Sequence, residues 1–339
     1  MRPPSVPLVL VAGTVLVAAA AALSLGFGVV PVPAGEVVRI LGDLLSPGSG
    51  APSVHRTLVV DMRLPRAVGA MCVGGALGAA GCMLQAVLRN PLASPSVIGT
   101  AQAAGLGKVI AVLLGLSYFG AVSLSFVAAL AAALAVLALA RTQWSLATDS
   151  VVLIGVNVAL LCGALVGLGQ YMARDEGERS RMALLLLGGL WQVRWDQLAW
   201  IGPATAVVTA GSLLLARHLD LLALGDADAR RLGLRVGTAG PLVLAVSCLL
   251  TSLAVAVAGV VAFVGLVVPH AARRIVGPGH AALLPASAFL GAVLVIATDT
   301  LARTVAPPNE LPLTVVTSIL GVPCFLFVLR SLRRRRSGA

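Results

Sequence analysis

The residues that could do chemistry are few, and their spacing excludes most reactions. Four histidines, His55, His218, His270 and His280, have no metal-ligand spacing, and H-E-x-x-H is absent. The nearest text to a phosphate-binding loop is G-L-G-K-V at 105–109. It lacks the hydroxyl after the lysine, and Gln102 stands where the first glycine belongs, so the chain carries no nucleotide motor of this type. The five cysteines, Cys72, Cys82, Cys162, Cys248 and Cys324, all lie in apolar runs and form no C-x-x-C; they read as small hydrophobes. A proton-driven carrier buries carboxylates at mid-membrane. Here every acid falls in a loop or near the end of an apolar run. Asp299 comes closest to an exception, and it stands four residues before Arg303, so the two can pair on one helix face. Lys108 is the other oddity, a cation inside an apolar stretch that either snorkels or lines a water-filled path.

The elements that hold these residues are membrane helices. Of 339 residues, 59% are hydrophobic and only 11% charged, and mean hydropathy is +1.01. Soluble domains carry roughly 25% charged residues, so this chain cannot solvate its own surface. The apolar runs are continuous rather than alternating, which favours helices over a β-barrel. The 37 glycines suit close helix packing, and Gly74-xxx-Gly78 and Gly163-xxx-Gly167 have the spacing for it. The fold expected is all-α and polytopic, with about ten transmembrane helices in a single domain over 1–339. Spans are expected at 5–28, 64–88, 97–116, 118–140, 151–173, 198–216, 237–258, 281–303 and 312–330. A short one at 259–274 is expected to be broken by Pro269. The first run is long for a signal-peptide core and reads as a retained span. A loop covers 29–62, with a short amphipathic helix near Glu36–Leu45. A charged loop covers 174–181, and 182–193 is too short to cross and reads as a re-entrant or surface helix.

Net charge is +11, which by itself would suit a nucleic-acid partner. The cations instead sit at the ends of apolar spans and in the C-terminal run Arg333, Arg334, Arg335, Arg336. That is a positive-inside pattern, and with ten crossings it places both termini in the cytoplasm. Membrane lipid is the surrounding partner; no nucleic acid is expected.

Four blocks carry a resemblance. They are R-L-P-R…G-x-x-x-x-x-Q…R-N-P-L-A-x-P…G at 63–99, A-L-G-x-x-x-A-R-x-L-G-L at 223–234, G-x-x-x-F-x-G-L-x-x-P-H-x-x-R at 259–273, and E-L-P-L-x-x-V-T-x-x-L-G-x-P-x-F at 310–325. Together they resemble the permease family of bacterial type II ABC importers for iron-siderophores, haem and cobalamin, across nearly the whole chain.

The resemblance implies a transport subunit rather than an enzyme, without cofactor or metal. It implies three partners: a cytoplasmic ATPase dimer, an extracytoplasmic substrate-binding protein, and a second permease chain, identical or homologous. It implies that a pair of short helices at 217–236 couples to the ATPase through Ala223, Leu224, Gly225, Ala229, Arg230, Leu232, Gly233 and Leu234. Small residues there permit close approach, leucines fill a groove, and charges at the rim set register. It implies docking of the binding protein on Arg63, Arg66 and Arg303, whose charges would steer encounter. It places a cytoplasmic gate at Asn90 and Leu92 and a second at Thr148 and Asp149. Asp149 departs from the small hydroxyl residue of relatives. G-G-L-W at 188–191 departs from their G-S-L or G-S-F, beside the outer vestibule that Trp191, Arg194 and Trp195 would shape. The cargo expected is an iron-siderophore, with haem and cobalamin as alternatives in the family. An ion-coupled secondary carrier is the alternative of another class, and it would need a relay through Asp299 and Lys108.

Overall fold

A computed structural model describes residues 4–45, 53–95, 99–142, 148–307 and 309–336; at 45, 140–142, 148–150 and 327–336 only the backbone is described. Among the described residues every regular element is helical. Helix α1 spans Val6–Gly26, α2 Ala34–Leu45, α3 Val54–Thr57, α4 Leu64–Val87, α5 Thr100–Leu113, α6 Tyr118–Thr142 and α7 Thr148–Tyr171. The second half holds α8 Glu176–Leu186, α9 Trp195–Ser212, α10 Ala216–Ala223, α11 Asp226–Arg231, α12 Val236–Ala258, α13 Val264–Val276, α14 His280–Thr304 and α15 Leu313–Arg336. Among the described residues seven helical stretches are long and apolar enough to cross a membrane, and α5 and the Leu313–Leu326 part of α15 are shorter apolar helices. With the 13-residue α13, these account for the ten spans expected.

Three expectations differ. The loop at 29–62 ends early: helix begins at Val54, where Ser53 caps the backbone N–H of Arg56, and runs unbroken to Val87. A wide turn at Leu58–Arg63 lies just upstream of Pro65. It absorbs the N–H that proline lacks and the bulk of its ring, so the helix continues through it. Most of the charged stretch expected as a loop at 174–181, from Glu176 onward, is the first half of α8. Asp175 accepts from the Glu178 N–H at 2.7 Å, and the Glu178 carboxylate accepts from the Arg174 N–H at 2.8 Å. That reciprocal cap outweighs the local charge density. Pro269 does not break α13. The break lies upstream, where Gly259 and Phe263 take φ of +69° and +65°. The carbonyl that Pro269 leaves without its helical donor is Gly265 O, and the Gln85 side-chain amide lies against it at 3.5 Å while donating to Leu266 O at 3.2 Å.

Helix α4 is the axis. Nearly all its side chains from Pro65 to Ala86 are buried. It runs antiparallel to α14, and the two approach backbone to backbone. A methyl group at Gly74 would collide with the Gly291 carbonyl, and one at Gly78 with the Ser287 carbonyl. At Gly81 the obstacle is the Gly265 carbonyl of α13. Helix α12 closes the same core, where the Ser247 hydroxyl donates to Ala80 O. By contrast α7 turns Leu153, Leu160, Leu161 and Leu168 outward. Among the described residues a methyl group at Gly163 or Gly167 would meet nothing within 4 Å, so of the two helices with small-residue spacing α4 is the one seen to use it internally.

Candidate functional site: a vestibule and an elbow at opposite ends of one helix pair

At the N-terminal end of α4 a cavity of about 1180 Å³ is walled by Arg63, Arg66 and Arg303, with Glu310, Trp191 and Tyr118 among the groups facing it. The wall is a charge network. The Arg66 guanidinium donates to Glu310 Oε1 and Oε2 at 2.8 and 2.9 Å and to Asp299 Oδ1 at 2.8 Å. Arg303 donates to the Ser24 carbonyl at 2.7 Å and lies 3.8 Å from Asp299 Oδ2. Arg63 donates to the carbonyls of Leu25 and Val30. The pairing of Asp299 with Arg303 expected from their spacing is thus the longer of two. The closer partner, Arg66, comes from a helix 233 residues away in sequence.

Free docking cations need exposure, and these three arginines are 6%, 9% and 5% exposed. Each is held by acceptors of its own chain. In this arrangement they brace the vestibule wall rather than stand out as docking points, because a buried guanidinium must be satisfied where it lies.

Trp191, Arg194 and Trp195 all face the cavity. The departure G-G-L-W has a packing reason. A Cβ at Gly189 would stand 2.8 Å from the Trp191 ring, so the second glycine makes room for the indole. Gly188 takes φ +70°, and its carbonyl accepts from the Leu313 N–H at the head of α15. Trp195 is anchored by its indole N–H, 3.0 Å from Val60 O. Lys108 is 3% exposed, one turn below cavity-lining Val112. Among the described residues it has neither hydrogen-bond nor ion-pair partner.

At the other end lies the elbow. Helices α10 and α11 form the expected pair, joined at Gly225 with φ +105° and followed by Gly233 with φ +85°. Leu224 and Leu232 are 59% and 58% exposed; Ala223, Arg230 and Gly233 are also at the surface, while Leu234 is half-buried. Ala229 differs from expectation: it is fully buried and packs inward. Asp220 ties α10 to the start of α14. Its Oδ1 accepts from the His280 backbone N–H at 2.9 Å and from His280 Nδ1–H at 2.7 Å.

The turn after α4 sits beside this elbow. Asn90 Oδ1 accepts from the Leu92 N–H at 2.9 Å, and Leu92 is exposed. His270 Nε2–H donates to Pro91 O at 2.8 Å. Thr148 and Asp149, the second expected gate, begin α7, but their side chains lie outside the described residues. Of the carboxylate partners only Asp299 carried a sequence signal, its spacing to Arg303; its pairing with Arg66, and those of Glu310, Asp220 and Asp226, carried none. Each of those pairings spans tens or hundreds of residues, and spacing cannot report that.

A buried charged vestibule and an exposed leucine-bearing elbow, held apart by α4 (about 36 Å long at 1.5 Å per residue), define a polytopic transport subunit of the ABC-permease kind. The chain belongs to the FecCD transport family, which matches residues 16–331. It is 38% identical to the cobalamin import system permease protein BtuC of Halobacterium salinarum, over 83% of this chain and 75% of that one. It is also 38% identical to the Fe(3+) dicitrate transport system permease protein FecD of Escherichia coli, over 94% of this chain and 97% of that one. Among solved structures, a metal-chelate type ABC transporter in an inward-facing conformation superposes with a TM-score of 0.84 at 27% identity, covering 96% of this chain and 99% of that one.

Proposed function

We propose that this chain is the translocation subunit through which an iron-siderophore complex crosses the cytoplasmic membrane. The observation that carries the reading is the placement of the elbow and the vestibule at opposite ends of α4 and α14. A pore without its own motor needs a force-receiving surface on the side facing the ATPase and a cargo-receiving chamber on the other. The elbow supplies the first: Leu224 and Leu232 project beside Arg230, and the glycines at 225 and 233 let a partner approach. The vestibule supplies the second. Its volume suits a bulky chelate, and its exposed Arg181 and Arg194 and its aromatic groups offer contacts to carboxylates and to flat ligand surfaces. A binding protein delivers cargo at the vestibule end, above Arg63, Arg66 and Arg303. A cytoplasmic ATPase dimer seats on the elbow. Asn90 and Leu92 gate the exit, with Thr148 and Asp149 as the second gate, in a pathway shared with a second permease chain. Both termini face the cytoplasm, the whole chain acts as one permease domain, and no bond in the cargo is broken.

The test is uptake by cells expressing this chain with its genomic neighbours, using radioiron-labelled ferric citrate and ferric hydroxamate against haem and cobalamin. Ferric uptake that requires the ATPase is expected. Uptake of haem or cobalamin alone would replace the cargo assignment. Uptake that persists without an ATPase and follows an ion gradient would replace the importer reading with that of a secondary carrier.

A further inference from the structure

The turn 89–92 is held in a way that the gate reading leaves unexplained. Arg89 follows the last turn of α4 with φ +46°. Glycine is the residue that ordinarily closes a helix in this left-handed conformation, because it carries no Cβ penalty. An arginine there forgoes that ease, and its side chain has a destination. The Arg89 guanidinium lies 3.1 Å from Asp226 Oδ1. Asp226 is the first residue of α11 and follows the hinge glycine Gly225 directly. The guanidinium passes so close to that hinge that a Cβ on Gly225 would stand 3.5 Å from it. On its other side the turn is tied to α13 through His270 and Pro91 O, and internally through Asn90 and Leu92. The turn is therefore a small rigid unit with one charged arm reaching the elbow.

We infer that Arg89 and Asp226 form the strut through which movement of the elbow reaches the turn bearing Asn90 and Leu92. They are positioning residues and touch no cargo. The inference rests on the proposed function, since it takes 217–236 as the driven surface and 89–92 as the gate. A backbone connection alone would transmit poorly. From Asp226 the covalent path back to Arg89 runs through α10, α9 and all the chain before them, whereas the ion pair spans one contact. The Asp220–His280 link tethers the same elbow to α14, so α14 acts as the fixed point against which α11 can pull or push the arm. An ion pair suits this task better than an apolar contact. It keeps direction over small displacements, and it can part and re-form in water at modest cost because both groups are roughly two-fifths exposed.

The test uses the full complex with its ATPase in inside-out vesicles, in a Cys324→Ser background that removes the exposed native thiol. Leu92→Cys reports the gate through its labelling rate by a membrane-impermeant maleimide, with and without ATP, normalised to the ATPase that copurifies. Asp226→Asn and Arg89→Gln are each expected to shrink the ATP-dependent change in labelling about fivefold, the scale an ion pair of this exposure supplies. The double variant should lose no more than either single one, since the pair acts as a unit. Losses that add in the double variant, or an Asp226→Asn response equal to the unmodified one, overturn the strut and leave the gate assignment intact. If the parent Leu92→Cys protein itself shows no response to ATP, the gate assignment fails and the strut fails with it.

Discussion

The two ends of the α4–α14 pair hold charge in opposite ways. At the vestibule end Arg66 meets Asp299 and Glu310 with its side chain 11% exposed, and Asp299 is 5% exposed. At the elbow end Arg89 meets Asp226 with side chains 38% and 42% exposed. Distances barely distinguish the two, at 2.8 and 3.1 Å. Burial does. Charges withdrawn from water have no alternative partner, so the vestibule network fixes a geometry; charges left half in water exchange partners freely, so the elbow pair permits motion. One end of the helix pair holds its charges in place and the other leaves them free to exchange, and between the two ends Gly74 and Gly78 pack α4 closely against α14.

The sharpest way to break this contrast is Asp299→Ala. It removes the buried carboxylate that lies between Arg66 and Arg303, leaving Arg66 with Glu310 and Arg303 with the Ser24 carbonyl, and should destabilise the protein by about 3 kcal/mol, read as a drop in thermal stability in detergent. Glu310→Ala should cost clearly less, because its side chain is 31% exposed and water can replace it. Equal losses would mean that burial does not grade the network. Next comes the seam. Gly78→Ala forces a methyl into the Ser287 carbonyl and should cost about 1–3 kcal/mol, whereas Gly167→Ala in α7 meets nothing and should stay within about 0.5 kcal/mol. Differential melting of the two variants checks this. The smallest stability effect is expected at the elbow. Asp226→Asn should shift unfolding by less than about 1 kcal/mol, while shrinking the gate response about fivefold if the strut holds. Salt sharpens the same point: at about 1 M, where the screening length falls to about 3 Å, the elbow pair should weaken while the vestibule network holds. That difference is measurable as a salt-dependent gate response with an unchanged melting temperature.

Much of the architecture was legible in the sequence. Long apolar runs have one solution in a bilayer, so most spans fall within a few residues of expectation. The errors came where local and tertiary signals compete. The charged run at 174–181 folds because of a cap that charge counting overlooks. The break expected at Pro269 lies instead at Gly259 and Phe263, and at Pro269 the helix continues with the Gln85 amide, from another helix, against the Gly265 carbonyl. At the candidate sites, the resemblance marked the elbow segment, while Arg63, Arg66 and Arg303 were recognised as a set but not as a buried one.

By itself the sequence determined the helical class, the approximate positions of the apolar spans and the absence of a phosphate-binding loop motif, since each depends on composition or on neighbours a few residues apart; the two short helices of the elbow were expected only through the resemblance. Only the tertiary structure decided which glycine pair packs, which carboxylate each arginine meets, and whether a charge is buried or wet. Those outcomes depend on segments hundreds of residues apart being brought together, and on water being shut out from some contacts and left at others, which no local pattern encodes.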